Sequence, residues 1–78
     1  MPMIECPPGV WTDIPASGDT LLEARGIGFY VDASGAKPAN PAEGYALASN
    51  EAMVSSSATL AVQPAQNVLS VVAYYEPA

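Results

Sequence analysis

Ten side chains carry charge in this chain: eight carboxylates and two cations, with no histidine among them. General acid–base chemistry draws on histidine or on a matched pair of buried carboxylates. Asp13 with Glu23, or Asp13 with Asp32, are the pairs whose spacing leaves a two-carboxylate glycosidase arrangement open. Nothing beside them in the sequence points to a shifted pKa, so solvated surface acids are the favoured reading. Ser55, Ser56 and Ser57 offer hydroxyls but have no histidine to activate them. Arg25-Gly26-Ile27-Gly28 is glycine-rich yet too short for a phosphate loop, and no helix is expected after it. Cys6 is the single cysteine, which excludes an internal disulfide. In Glu5-Cys6-Pro7-Pro8 a lone thiol suits a reducing compartment, with a cross-link between subunits as the lesser alternative. One cysteine without histidine cannot build an ordinary zinc site, and the scattered acids form no oxygen-rich calcium loop. The expectation is a protein without catalytic residues, metal or cofactor.

The aromatic side chains suggest a different chemistry. Trp11, Tyr30, Tyr45, Tyr74 and Tyr75 could line a face that binds a protein or a sugar, since such rings bury large areas and keep a polar tip. For Trp11 and Phe29 a place in the core is the better reading. Tyr30, Tyr74 and Tyr75 are read as outward contacts, because Phe29, Val31, Leu69 and Val71 already supply an apolar face.

Charge narrows the partners. The formal net charge is −6, with Arg25 and Lys37 as the only cations. Nucleic-acid binding needs lysines and arginines that displace counterions from phosphates, so direct contact with DNA or RNA is not expected. An anionic membrane would repel the chain, and no run reaches the ~20 apolar residues of a helical span. Met1-Pro2-Met3-Ile4-Glu5 lacks the basic start and apolar stretch of a signal peptide, which points to a protein made in the cytoplasm.

The residues must be positioned by short strands. Residues 1–8 contain Pro2, Pro7 and Pro8 and read as an extended arm, a frayed terminus being the favoured reading and an arm laid on a neighbouring subunit, with Ile4 in contact, the sharper one. Residues 9–78 read as a single β domain. Val10–Ile14 places Val10, Thr12 and Ile14 on one face; Thr20–Ala24 follows, with a two-turn helix over 19–25 as second choice. In Ile27–Val31, Ile27, Phe29 and Val31 alternate with Gly28 and Tyr30, as in a half-buried strand, and Gly26 suggests a bulge before it. The thirteen residues Asp32–Gly44 form a long connection. Tyr45–Leu47 and Ala52–Val54 are short strands. Ala58–Val62 and Val68–Glu76 are read as a hairpin turning through Gln63–Asn67. In the last strand, Leu69, Val71, Ala73 and Tyr75 share one face and Val68, Val72 and Tyr74 the other, so both faces should be covered. Six to seven strands with regular turn signals indicate a small antiparallel β-sandwich or barrel.

A chain of 78 residues buries only about 60% of the surface its unfolded form exposes. Without disulfide or metal, association is the remaining source of stability. With Lys37 as the single lysine, the strand edges must be very short, covered by the arm, or paired with another chain. A dimer or trimer is the natural closed form.

The order of signals resembles that of small bacteriophage proteins of the capsid decoration or cement type. The similarity runs over residues 9–76, through Gly9-Val10-Trp11-Thr12-Asp13-Ile14, Gly28-Phe29-Tyr30-Val31 with its Gly/Pro/Ala loop, Gly44-Tyr45-Ala46-Leu47 and the closing Tyr74-Tyr75-Glu76. It is one of pattern and composition. It implies a compact β-fold on the virion surface, often trimeric, bound to the major capsid protein. The contact residues expected are Ile4, Tyr30, Val72, Tyr74 and Tyr75. The alternative is a carbohydrate- or protein-binding module of a phage tail or fibre, and a third reading is an acidic regulatory or inhibitor protein.

Overall fold

The computed structural model describes residues 1–16, 18–66 and 68–78. Its strands are β1 (Met3–Cys6), β2 (Thr12–Ile14), β3 (Thr20–Ala24), β4 (Phe29–Asp32), β5 (Tyr45–Leu47), β6 (Ala52–Ser55), β7 (Leu60–Pro64) and β8 (Val71–Pro77). They form two antiparallel four-stranded sheets, in the orders β1-β8-β3-β6 and β2-β7-β4-β5. The chain is therefore an all-β sandwich, with eight strands in place of the six to seven expected. The helical element among the described residues is a 3₁₀ turn at Pro41–Glu43; the helix considered over 19–25 is strand β3.

Alternation produces the core. Along β3, Thr20, Leu22 and Ala24 are buried while Leu21 and Glu23 are half-exposed, the period of two that a pleated strand imposes. The β1-β8-β3-β6 sheet contributes Cys6, Leu22, Ala24, Val71 and Ala73 to the interior. The β2-β7-β4-β5 sheet contributes Ile14, Phe29, Val31, Leu47, Leu60 and Val62. Gly28 marks a close approach, since a Cβ there would meet the Leu47 carbonyl oxygen at 2.5 Å.

Among the described strands, β4 and β5 are the one sequential pair that also hydrogen-bond to each other; the other connections pass from one sheet to the other. This corrects the expected final hairpin. Both sides of β7 are occupied, by β2 and β4, so β8 has no place beside it and joins the opposite sheet between β1 and β3. Val68 and Leu69 then lie exposed in the connection rather than in the strand; Asn67, part of the expected turn, is outside the described residues. The expected arm is corrected too. Met3–Cys6 pairs along β8, and Ile4 and Cys6 turn inward on alternate positions. Its prolines bracket an edge strand, the position in a sheet that tolerates them. Val10 and Ile27 precede their strands and are exposed, and Gly26 sits in a left-handed turn between sheets. Trp11 is half-buried, its indole N–H donating to the Pro38 carbonyl at 3.0 Å, so it anchors the long connection and is not a core side chain.

Cys6 illustrates how the fold settles chemistry left open by sequence. The side chain is fully buried, and its thiol faces the Ile4 carbonyl at 3.8 Å. Burial pushes its pKa up, because the thiolate loses water. A subunit cross-link through it would require opening β1. A thiol-reactive disulfide reagent at pH 8 is expected to leave Cys6 unmodified in the native protein and to titrate it fully in guanidinium. Rapid reaction under native conditions would contradict the placement. Because the folded pKa lies above the unfolded one, this contribution to stability is full below about pH 8.5 and lost at higher pH.

Candidate docking surface

The outer side of the β1-β8-β3-β6 sheet is assembled by register. Met3, Tyr74, Glu23 and Ala52 stand in one row across the four strands. The next row is Glu76, Leu21 and Val54, and Glu5 lies beside Val72 on the other side. Met3 is 65% exposed, Val54 59% and Val72 36%; Leu21 and Tyr74 are half-buried. This face carries an apolar strip drawn from all four strands, with Glu23 standing within it and Glu5 and Glu76 beside it. Soluble chains usually keep such patches small, and large ones mark contact sites.

Arg25 organises the centre of the strip. Its guanidinium lies 4.3 Å from the centroid of the Tyr74 ring, and its Nε donates to Glu23 Oε1. The ring is thereby held flat under a cation whose charge is already matched by Glu23.

The five residues expected to make contacts are distributed over three places. Val72 and Tyr74 stand on the outer face just described. Ile4 and Tyr75 take the inner phase, partly buried against the core. Tyr30 lies half-buried on the outer side of the other sheet, opposite Ala46 and Gln63. Sequence reasoning missed Met3, Leu21 and Val54. Leu21 was readable once Leu22 was assigned inward, because neighbours on a strand face opposite ways. Met3 and Val54 become part of the strip only through the pairing of β1 with β8 and β6 with β3, which no local pattern encodes.

The outer side of the β2-β7-β4-β5 sheet is covered at its Asp32–Ala61 end, while Asp13 and Ala46 on the same side stand exposed. Ala61 and Asp32 face outward by register, yet they are only 3% and 5% exposed. The connection after β4 folds back over them. Asp32 Oδ1 accepts from the Ser34 hydroxyl (2.6 Å) and amide (3.1 Å), and Oδ2 accepts from the Lys37 amide (2.9 Å). Ser57 Oγ ties the same segment to the connection between β6 and β7, donating to the Ala33 carbonyl at 2.6 Å. Lys37 Nζ reaches Asp13 at 2.8 Å, a solvent-exposed ion pair worth less than about 1 kcal/mol. A cleft of roughly 460 Å³ runs under this loop, lined in part by Asp13, Asp32, Lys37 and Thr59.

Two carboxylates therefore share a cleft, but their surroundings do not suit acid–base work. The Ser34 hydroxyl, aided by the loop amides, holds the Asp32 carboxyl below the ordinary carboxylate range. A general acid needs the opposite shift. Both Asp32 oxygens are spent on the loop. Glu23, the other partner considered for Asp13, stands on the opposite sheet. Asp32 is a loop clamp, and its pH signature follows from the sign of its shift. A depressed folded pKa contributes stability that is present above the unfolded value of about 3.9 and lost as pH falls through the folded one. The melting-temperature gap between the parent and Asp32→Asn is expected to shrink between pH 6 and pH 3. A gap independent of pH would contradict the clamp.

Comparison of the chain with protein-family models, with curated proteins and with solved structures finds no match.

Proposed function

We propose that this chain is a non-enzymatic virion structural protein, a capsid decoration or cement subunit that docks on the major capsid protein of a phage head. The observation that carries the reading is the uncovered outer face of the β1-β8-β3-β6 sheet. Its apolar residues Met3, Leu21, Val54, Val72 and Tyr74 form one strip, and its one cation is already committed to Glu23 and Tyr74. With Glu23 inside it already matched by Arg25, and Glu5 and Glu76 beside it on a chain of net charge −6, the strip fits a partner with an apolar surface and basic groups at its margin. Such complementarity speeds encounter and fixes orientation, while the desolvated aromatic and aliphatic centre supplies affinity. The sequence resemblance to decoration proteins supplies the kind of partner. Synthesis in the host cytoplasm, assembly as a small homo-oligomer and residence on the capsid surface follow from the same reading.

The alternative, a carbohydrate- or protein-binding module of a tail or fibre, calls on Trp11 and the tyrosines acting together. Tyr30 and Tyr74 stand on opposite sheets, and the Trp11 indole is tied to Pro38. These rings share no platform, so the alternative fits less well.

The test is direct sedimentation. Purified protein mixed with heads of the virus whose genome carries the gene is expected to pellet with them to saturation. Protein that stays in the supernatant at micromolar concentration overturns the reading.

A further inference from the structure

We infer that β6 is a self-pairing edge, through which two copies of this chain join their sheets antiparallel about a two-fold axis. The inference stands on the four sheet edges and not on the capsid reading.

A free strand edge is a row of open N–H and C=O groups, and proteins normally blunt it with prolines, charge or shortness. Three of the four edges here are blunted. β1 lies between Pro2 and Pro7 and carries Glu5; β2 is three residues long, carries Asp13 and ends at Pro15; β5 is three residues long and follows the Pro41–Glu43 turn. The fourth, β6, equals β1 in length at four residues but lacks its flanking prolines and its carboxylate. From Ala52 to Ala58 the chain contains neither a proline nor a charge, and Val54 stands exposed in the strand.

The hydrogen-bond phase of this edge is fixed. The Ala24 amide donates to the Glu51 carbonyl at 2.9 Å, and Leu22 pairs with Met53 in the same register. Groups on an antiparallel strand alternate between its two sides. The backbone groups of Ala52 and Val54 therefore point to the open side. Pairing two copies with Val54 of one opposite Ala52 of the other, and Met53 opposite Met53, makes two hydrogen-bonded pairs that exchange four bonds. It keeps outer face with outer face, as the pleat demands. In this register Glu51 meets Ser55, so no carboxylate opposes its own copy. That matters in a chain of charge −6, where most other surface contacts between copies would bring acids together. A second copy is the favoured occupant because the strand is complementary to itself without a charge conflict. The joined sheet also sets the Leu21–Val54 rows of both copies on one continuous outer face, extending the apolar strip.

The experiment is light scattering after size exclusion, with amide exchange by NMR, on the full chain and on Val54→Lys, Ala52→Lys and Val72→Ser/Tyr74→Ser. The parent and the Val72/Tyr74 variant are expected at twice the 8.0 kDa chain mass, with the Ala52 and Val54 amides protected. Each lysine variant is expected at half that mass, with unchanged far-UV circular dichroism and those two amides exchanging freely. A parent that is monomeric up to millimolar concentration or trimeric, lysine variants that keep the doubled mass, or dissociation by the Val72/Tyr74 change instead, each overturns the inference. Loss of head binding alone would bear only on the capsid reading.

Discussion

Phe29→Ala is expected to cost about 3–5 kcal/mol and to leave the chain largely unfolded at 37 °C. Phe29 heads the fully buried side chains by volume and lies in the interior next to Leu47 and Pro64 in its own sheet. Truncating a buried aromatic removes its transfer free energy and leaves a cavity whose cost depends on how far the surroundings collapse. Collapse is hindered here. Next to Phe29, the Gly28 backbone is already so close to β5 that a methyl would meet the Leu47 oxygen at 2.5 Å, so β4 and β5 cannot draw nearer. A small domain lies at the lower end of the usual 5–15 kcal/mol, and one such loss is most of its stability. Urea titration followed by Trp11 fluorescence should show the midpoint collapse for Phe29→Ala, and the unfolding free energy fall by only about 1 kcal/mol for Phe29→Leu. A loss below about 1 kcal/mol for the alanine variant would mean that the site is loosely packed.

What the sequence reveals of this fold divides along physical lines. Local alternation put Phe29 and Val31 of β4 and Val71 of β8 on an apolar core face, because the period of two is written into neighbouring residues. It could not reveal which strands pair. Every connection but β4 to β5 crosses between sheets, so pairing is a matter of long-range burial, and a hairpin inferred from closeness in sequence fails at β7 and β8. The arm failed for a related reason. Three prolines around Met3–Cys6 disfavour a central strand, yet they permit an edge, and the vacant side of β8 decided between the two. At the surface, alternation put Val72 and Tyr74 outward correctly. It also overstated the case, since Val68 and Leu69 belong to a turn and the outer side of β8 itself is Val72, Tyr74 and Glu76. The strip is completed by β1, β3 and β6, which sequence alone does not bring together. The clamp at Asp32 left no signal beyond Asp32-Ala33-Ser34-Gly35, a turn-forming composition.

The two sheets thus have different tasks. One is capped at its Asp32–Ala61 end by the 33–44 connection, which Asp32, Ser57 and Trp11 anchor. The other is left open on its outer side and along β6. An acidic chain with so few cations has little means of protecting both by charge, and leaving them open makes sense where assembly covers them.

Replacing Val72 and Tyr74 together with serine is expected to abolish docking while sparing the fold. Val72 lies at the exposure expected of a contact residue, and Tyr74 is a half-buried ring held in place by Arg25. Neither belongs to the core cluster, so the stability cost should stay below about 2 kcal/mol. Docking is another matter, because interface energy concentrates in a few aromatic and aliphatic anchors near the centre, where one loss costs about 2 kcal/mol or more. Two such losses weaken binding by on the order of 1,000-fold, enough to free the protein from heads at micromolar concentration. Tyr30→Ser, on the far side of the sandwich, should bind as the parent does, and Glu5→Gln should slow association at low salt with little change at high salt. Equal head binding by the Val72/Tyr74 variant and the parent, with both folded, would move the docking surface to another face of the molecule. Weakening by Tyr30→Ser instead would identify the β2-β7-β4-β5 side as that face.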